Sequence, residues 1–480
     1  MKNKALKSVY WYSIDLFFNR GSYFFITLYI AKVIGPTEFG IASILGVIYY
    51  LGLAVADSGM SNSIMRTKDC SDIDYGTVLV TNAIFGLCVY LLVIVLSPFI
   101  THFYNIPKLA MVLPVYGIGI LFSSIKSVYA AYLMKNFNYK RMFLLNIPGS
   151  VISSIIAIIL SQNNYGIWSI IYLFLVNQFI SLVLFILFSG WKTIFVLDKN
   201  RLKKHFNFGY KISISSFINT LFENLYQLMI GKYFSIRMTG IFDRSYSLGN
   251  YPISILSTVL SKVTLPLFVN YVDDIDLLRQ KFRESIKLVF FATSFVVGTI
   301  LIVIPYMIRN FMGIEWIESI DIFRIICLGL LLYPIHSMNM NVLNVYGRSD
   351  ILLKLEFIKK VLQIFLIFLL YRFGITGLVY SLVIHSYISL FINLYYTKKF
   401  IGYSILNQIL DLIPTMFGGV ICFLIADFLF EGYQMNIYLI NFQLLIFLIL
   451  FYFSSFFLNK TSFKYIREIL FVSMKKIKTQ

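Results

Sequence analysis

Residues 213–241 read SISSFINTLFENLYQLMIGKYFSIRMTGI, and residues 13–41 read SIDLFFNRGSYFFITLYIAKVIGPTEFGI. Laid over each other at an offset of 200, without gaps, nine positions agree. Ser13, Ile14, Phe17, Asn19, Leu28, Ile30, Lys32, Gly40 and Ile41 fall on Ser213, Ile214, Phe217, Asn219, Leu228, Ile230, Lys232, Gly240 and Ile241. Two further matches follow in the same order. At an offset of 210, Gly119, Leu121, Ile125, Ser127 and Leu133 fall on Gly329, Leu331, Ile335, Ser337 and Leu343; at 208, Gly166, Ile167 and Tyr172 fall on Gly374, Ile375 and Tyr380. Self-similarity held at nearly one period marks a duplicated unit.

The duplicated unit is made of membrane-spanning helices. The 480 residues are 59% hydrophobic and 13% charged, with a mean hydropathy of +0.80. Apolar runs long enough to cross a hydrocarbon core recur along the whole chain. They divide into fourteen expected spans, from 12–33 to 436–458, with 209–234 as the seventh. The expected fold is an all-α polytopic membrane protein in which each repeat holds six spans. An even number preserves orientation, so the copies form two bundles related by an axis along the membrane normal, as in transporters that rock two halves about a midplane site. The expected divisions are 1–190, a six-helix bundle; 191–208, an amphipathic linker at the cytoplasmic interface; 209–400, the second bundle; 401–458, two appended spans; and 459–480, a basic cytoplasmic tail.

A net charge of +19 raises the question of nucleic acid, and its distribution answers against it. More than half of the 41 Lys and Arg fall in the tails and even-numbered loops, while the odd-numbered loops carry Lys32, Lys108, Arg237, Arg309 and Arg372. That bias places both termini in the cytoplasm and makes the basic charge a topology signal, with attraction to anionic membrane lipid secondary. Cys70, Cys88, Cys327 and Cys422 have no metal-ligand or disulfide spacing. No phosphate-cradling GxxxxGK[ST] loop and no HExxH are present, so no cofactor or metal is expected.

Charges inside spans are functional candidates, since each is costly there. Asp321 with Arg324, and Glu356 with Lys359 and Lys360, can pair along one helix, and Asp57 and Lys262 lie near span ends. Glu223 is different. It sits midway through its span, with Asn219 and Gln227 four residues to either side, so one helical stripe is polar through the bilayer centre. Lys232, nine residues on, lies on the opposite face. The repeat aligns Arg20 with Thr220, at nearly the depth of Glu223, and aligns Lys126 with His336, which Asn339 follows. Arg20, Lys126, His336 and Asn339 are therefore the expected substrate-binding residues, lining a polar cavity between the bundles. Glu223, Asn219 and Gln227 are the expected ion-coupling set. A buried Arg20–Glu223 pair that only fixes packing is the alternative.

Several short motifs resemble those of polysaccharide exporters of the colanic-acid (WzxC) type. Ile34-Gly35-Pro36-Thr37-Glu38-Phe39-Gly40 resembles that family's L-G-P-x-x-F-G, and Asp57-Ser58-Gly59-Met60 its D-x-G-hydrophobic ending of the second span. Tyr165-Gly166-Ile167-Trp168 resembles its Y-G-x-W, Phe208-Gly209 its F-G, Leu265-Pro266-Leu267-Phe268 its F-P-x-F, and Gly313-Ile314-Glu315-Trp316 its G-x-x-W. Phe242 and Ser245 stand where the family commonly has Tyr and Ala, and Glu315 where it has Lys. The likeness covers about residues 8 to 400. It implies the MOP exporter superfamily, with two six-helix bundles about a central cavity, in a bacterial inner membrane. The implied substrate is an oligosaccharide unit on undecaprenyl pyrophosphate, with H+ or Na+ as coupling ion and a glycan polymerase and chain-length proteins as partners. A drug-type exporter would use the same architecture. A membrane-embedded polymerase or ligase is the enzymatic alternative, disfavoured because the external loops are too short to build its site.

Overall fold

The structure, a computed structural model, describes residues 2–430 and 436–458, and the side chains of all of these but 2–9, 16, 20, 261–263 and 455–458. The expected basic tail thus lies outside the described residues, as does the side chain of Arg20. Among the described residues every regular element is a helix, and ten segments are long and apolar enough to cross a membrane. Contacts divide the chain into two compact units, Met1–Asp243 and Arg244–Gln480.

The first unit begins with α1 (Lys2–Ala56). Fifty-five helical residues would extend roughly 80 Å, far beyond a hydrocarbon core of about 30 Å. The helix breaks instead at Gly35, whose φ of 75° and ψ of 172° a side chain would resist, and Pro36 restarts it. Then come α2 (Met60–Arg66), α3 (Asp72–Tyr104), α4 (Leu109–Lys135), α5 (Tyr139–Gln162), α6 (Ile167–Phe188), α7 (Lys199–Glu223) and α8 (Leu225–Tyr233). The pairs α3–α4, α5–α6, α1–α5 and α4–α6 make the main packing surfaces. Trp191 closes one end of this core: its ring lies against Tyr75, Tyr129 and Tyr132, and its indole N–H donates to Asp72 at 3.0 Å.

Two differences from the sequence reading concern the seventh span. Only Trp191–Asp198 of the linker is non-helical, because Asp198 caps Arg201 N and starts α7 at Lys199. The helix runs from the polar segment 199–208 straight into the apolar one. The helices α7 and α8 also pack on α1, α2 and α3 of the first unit, whereas the repeat pairs them with the second half.

The motif glycines explain part of that packing. Gly40 lies so close to the Ile236 carbonyl that an added Cβ would come within 1.8 Å of it. Gly240 meets the Pro36 carbonyl in the same way, at 1.9 Å. Positions 36 and 40 lie 200 residues before 236 and 240, the offset of the sequence match, so the contact is reciprocal in position, although Pro36 and Ile236 differ. Small residues of this kind let two membrane helices cross with their backbones touching. Nearby, Glu38 pairs with Lys108 at 2.6 Å, and its carboxylate lies against Gly166.

The division between units falls inside α9 (Ile236–Val269). The second unit continues through α10 (Ile275–Met307), α11 (Glu318–Leu330), α12 (Tyr333–Val345), α13 (Ser349–Leu370), α14 (Gly374–Ile401), α15 (Ile405–Phe428) and α16 (Ile437–Leu458). Its core gathers Phe268, Phe282, Phe290, Ile335, Met338 and Leu394, while α10, α15 and α16 form a separate cluster around Phe447. Trp316 is fully buried on a short turn that follows Gly313, whose φ is 99°.

Candidate functional site

Inside the first unit, polar side chains from four helices meet. Asp15, 7% exposed, accepts from Asn19 Nδ2 at 2.8 Å on its own helix and from Asn146 Nδ2 of α5 at 3.5 Å. Asn19 in turn accepts from Ser150, and Asn177 of α6 donates to Ser150. Lys126 on α4 donates to Gln178 Oε1 at 2.5 Å, and the charges of Lys126 and Asp15 act on each other. An ammonium in an apolar bundle needs such company, because burying it unpaired costs several kcal/mol, of the order of 3 on insertion scales. Lys126 is therefore deep and polar-partnered, as the sequence indicates. Asp15 is the residue sequence reasoning missed. Its signal was available: Asp15 and Asn19 are four apart, the same stripe spacing that singled out Glu223.

A second carboxylate belongs to the same unit. Asp57 Oδ1 accepts from Ser61 at 2.5 Å, Ser127 at 2.7 Å and Asn82 at 3.0 Å. The span-end residue expected to be merely hydrated is held by α2, α3 and α4 together.

Glu223 is the last residue of α7. The expected continuous span breaks at Asn224 (φ −102°, ψ 9°), whose side chain turns back to the Thr220 carbonyl at 2.7 Å. The polar stripe breaks with it: Asn219 and Glu223 are exposed, while Gln227 in α8 is 6% exposed and its Oε1 has no hydrogen-bond partner. A carboxylate at the end of a half-helix is an arrangement that holds cations in membrane transporters.

In the second unit, His336 and Asn339 tie α12 to α14. Asn393 Nδ2 donates to His336 Nδ1 at 3.0 Å, which leaves Nε2 as the donor to Ser386 Oγ at 3.1 Å, and Ser386 donates to the Gly329 carbonyl. Asn339 accepts from Thr397 at 2.6 Å and donates to the Ile335 carbonyl. Both ring nitrogens and both ends of the amide are engaged. Asn393, which sequence reasoning did not single out, is buried with a spare acceptor, Oδ1. Among the described residues no three His, Cys, Asp or Glu side chains form a group able to hold a metal ion.

The sequence pattern of the family described as "Polysaccharide biosynthesis protein" matches residues 29–321. The teichuronic acid biosynthesis protein TuaB of Bacillus subtilis is 22% identical over 299 residues, 62% of each chain. The lipopolysaccharide biosynthesis protein WzxC of Escherichia coli is 22% identical over 338 residues, 70% of this chain and 68% of that one. The matched stretch thus spans about two thirds of these relatives or slightly less. Among solved structures, the lipid II flippase MurJ in an inward closed conformation superposes with a TM-score of 0.73 at 17% identity, over 92% of this chain and 97% of that one. An inward-facing multidrug MATE transporter of the MOP superfamily superposes with a TM-score of 0.60 at 17% identity, over 80% of this chain and 94% of that one. At these identities the likeness establishes a shared fold.

Proposed function

This chain belongs to the polysaccharide biosynthesis protein family, and from that premise we propose that it is an exporter, a flippase for a glycan unit carried on a polyprenyl pyrophosphate. Within that reading it moves its substrate from the cytoplasmic to the outer leaflet of a bacterial plasma membrane, with both termini inside. The observation that carries it is the family match over residues 29–321, on a fold shared with a lipid II flippase. The polar interior of the first unit supports it. Lys126 and Arg20 attract the pyrophosphate or acidic sugars, while Asp15 keeps Lys126 from standing unpaired when the substrate is absent. Glu223, at the end of a broken helix, takes a proton or cation and competes for Arg20, which couples the swing of the bundles to an ion gradient. His336 and Asn339 reach sugar hydroxyls only by giving up Ser386, Asn393 and Thr397.

The test follows the lipid-linked oligosaccharide in a strain lacking the gene. Intermediates trapped on the cytoplasmic leaflet are expected; their build-up outside would point to polymerisation instead. A second reading, small-molecule export, draws on the MATE likeness. Intact surface glycan together with new sensitivity to toxic cations would favour it over the first.

A further inference from the structure

Helix α7 is attached to its unit in an unusual way. Only His205 and Gly209 are buried among its 25 residues, whereas 13 of the 27 residues of α4 are. Its hydrogen-bonded attachment runs along a stripe of residues four apart, Arg201, His205, Gly209 and Ser213, and is flanked by Leu202 against the neighbouring core and Phe206 stacked on Phe85. Every member of that stripe makes a polar or backbone contact, and none buries an apolar side chain. The Arg201 guanidinium donates to both oxygens of Asp74, at 3.1 and 3.0 Å. His205 Nε2 meets Asp74 Oδ1 at 3.0 Å, and its Nδ1 meets Ser63 Oγ at 2.9 Å. Gly209 and Gly59 lie backbone to backbone: a Cβ on either would come within 2.4 Å or less of the other segment's carbonyl. Ser213 donates to the Ala54 carbonyl at 2.7 Å.

Both ends of the helix are joints. The non-helical stretch Trp191–Asp198 precedes it, fixed by Trp191 to Asp72 and by Asp198 N to Thr77, and the break at Asn224 ends it. A rod between two joints, with two buried residues against thirteen in α4, carries far less of the interdigitated packing that is hard to undo. Segments that move are drawn from such lightly held elements. Asp74 is the fastener. It is fully buried and positioned by its own capping box with Ser71, so it stays in place when α7 leaves.

We propose that α7 is a gate that swings about Asn224 away from α2 and α3, with Asp74 as its latch. Opening uncovers the face that carries Asp57 and its Ser61, Asn82 and Ser127 donors, a polar surface suited to a hydrated headgroup. The purpose of the gate rests on the export reading; its movement does not.

The test uses the full chain in phosphatidylethanolamine–phosphatidylglycerol nanodiscs, with Cys70, Cys88, Cys327 and Cys422 replaced by serine. A Ser63→Cys thiol is 4% exposed at its native position and reacts with a maleimide only when α7 lifts. A Ser153→Cys thiol, buried in α5 away from the stripe, reports unfolding. Asp74→Asn, and separately Gly209→Ala, are expected to raise the labelling rate at 63 at least tenfold while position 153 stays unreactive. Equal rates at 63 with and without both substitutions would overturn the gate. So would equal acceleration at 153, since the effect would then be loss of the fold. Labelling requires no substrate, so a failed gate and a failed export reading give separate results.

Discussion

Lys126 and His336 lie at positions aligned by an offset of 210, each between an Ile and a Ser, yet their surroundings differ. Around Lys126 the helix α4 is continuous, and an ammonium donates to Gln178 with the Asp15 carboxyl in the same polar cluster. Around His336 the matching span is broken into α11 and α12, and the chemistry is a closed, neutral circuit through Ser386, Asn393 and Gly329. The seventh span is broken as well, at Asn224, where its counterpart in α1 continues through Tyr23 and Phe24. At these two aligned places the earlier segment stays helical, while the later one is interrupted. Breaking a helix frees backbone carbonyls at depth, which is tolerated in a membrane only where protein or water takes them up.

Perturbing the charged side gives the largest expected effect. Asp15→Leu removes the carboxylate to which Asn19 and Asn146 donate and is expected to cost about 1–3 kcal/mol, read as thermal unfolding in detergent. Glycan export should be lost with it, and export at the wild-type level would make the cluster packing alone. The crossing of Gly40 and Gly240 comes next: Gly40→Ala forces a Cβ against the Ile236 carbonyl and is expected to cost about 1–3 kcal/mol. An unchanged melting temperature would show that the two backbones can part freely. On the neutral side, Ser386→Ala removes two hydrogen bonds, to His336 and to the Gly329 carbonyl, for roughly 1–3 kcal/mol, and export should persist. Export abolished at native stability would place His336 in the transport path after all. Glu223→Gln should change stability least, by about 0.5 kcal/mol or less as expected of an exposed position, yet stop export. If it and Arg20→Ala both export at wild-type levels, ion coupling at Glu223 is wrong.

The all-helical membrane fold and the turn at Gly35-Pro36 were legible because hydropathy and the Gly-Pro pair act locally. Lys126 was found because an isolated ammonium in an apolar span has no dull explanation. Asp15 escaped because it lies near the start of the expected span 12–33, where a carboxylate reads as hydrated. The break at Asn224 was hidden for another reason. No Pro or Gly marks it, and what stabilises it is an asparagine side chain bonding its own backbone, a choice that depends on the tertiary setting. The start of α7 was misplaced because its first ten residues are too polar to read as part of a span. Their helix is fixed by the Asp198 cap and by Asp74, which lies 127 residues away from Arg201 in sequence.

The touching backbones at Gly40 and Gly240 resemble the pin of a pair of scissors. With no side chain between them, the two ribbons have nothing to mesh, so rotation about that point disturbs few atoms, whereas sliding along it would drive a carbonyl into the opposing chain. A contact that tight is a natural origin from which to measure other displacements in the first unit.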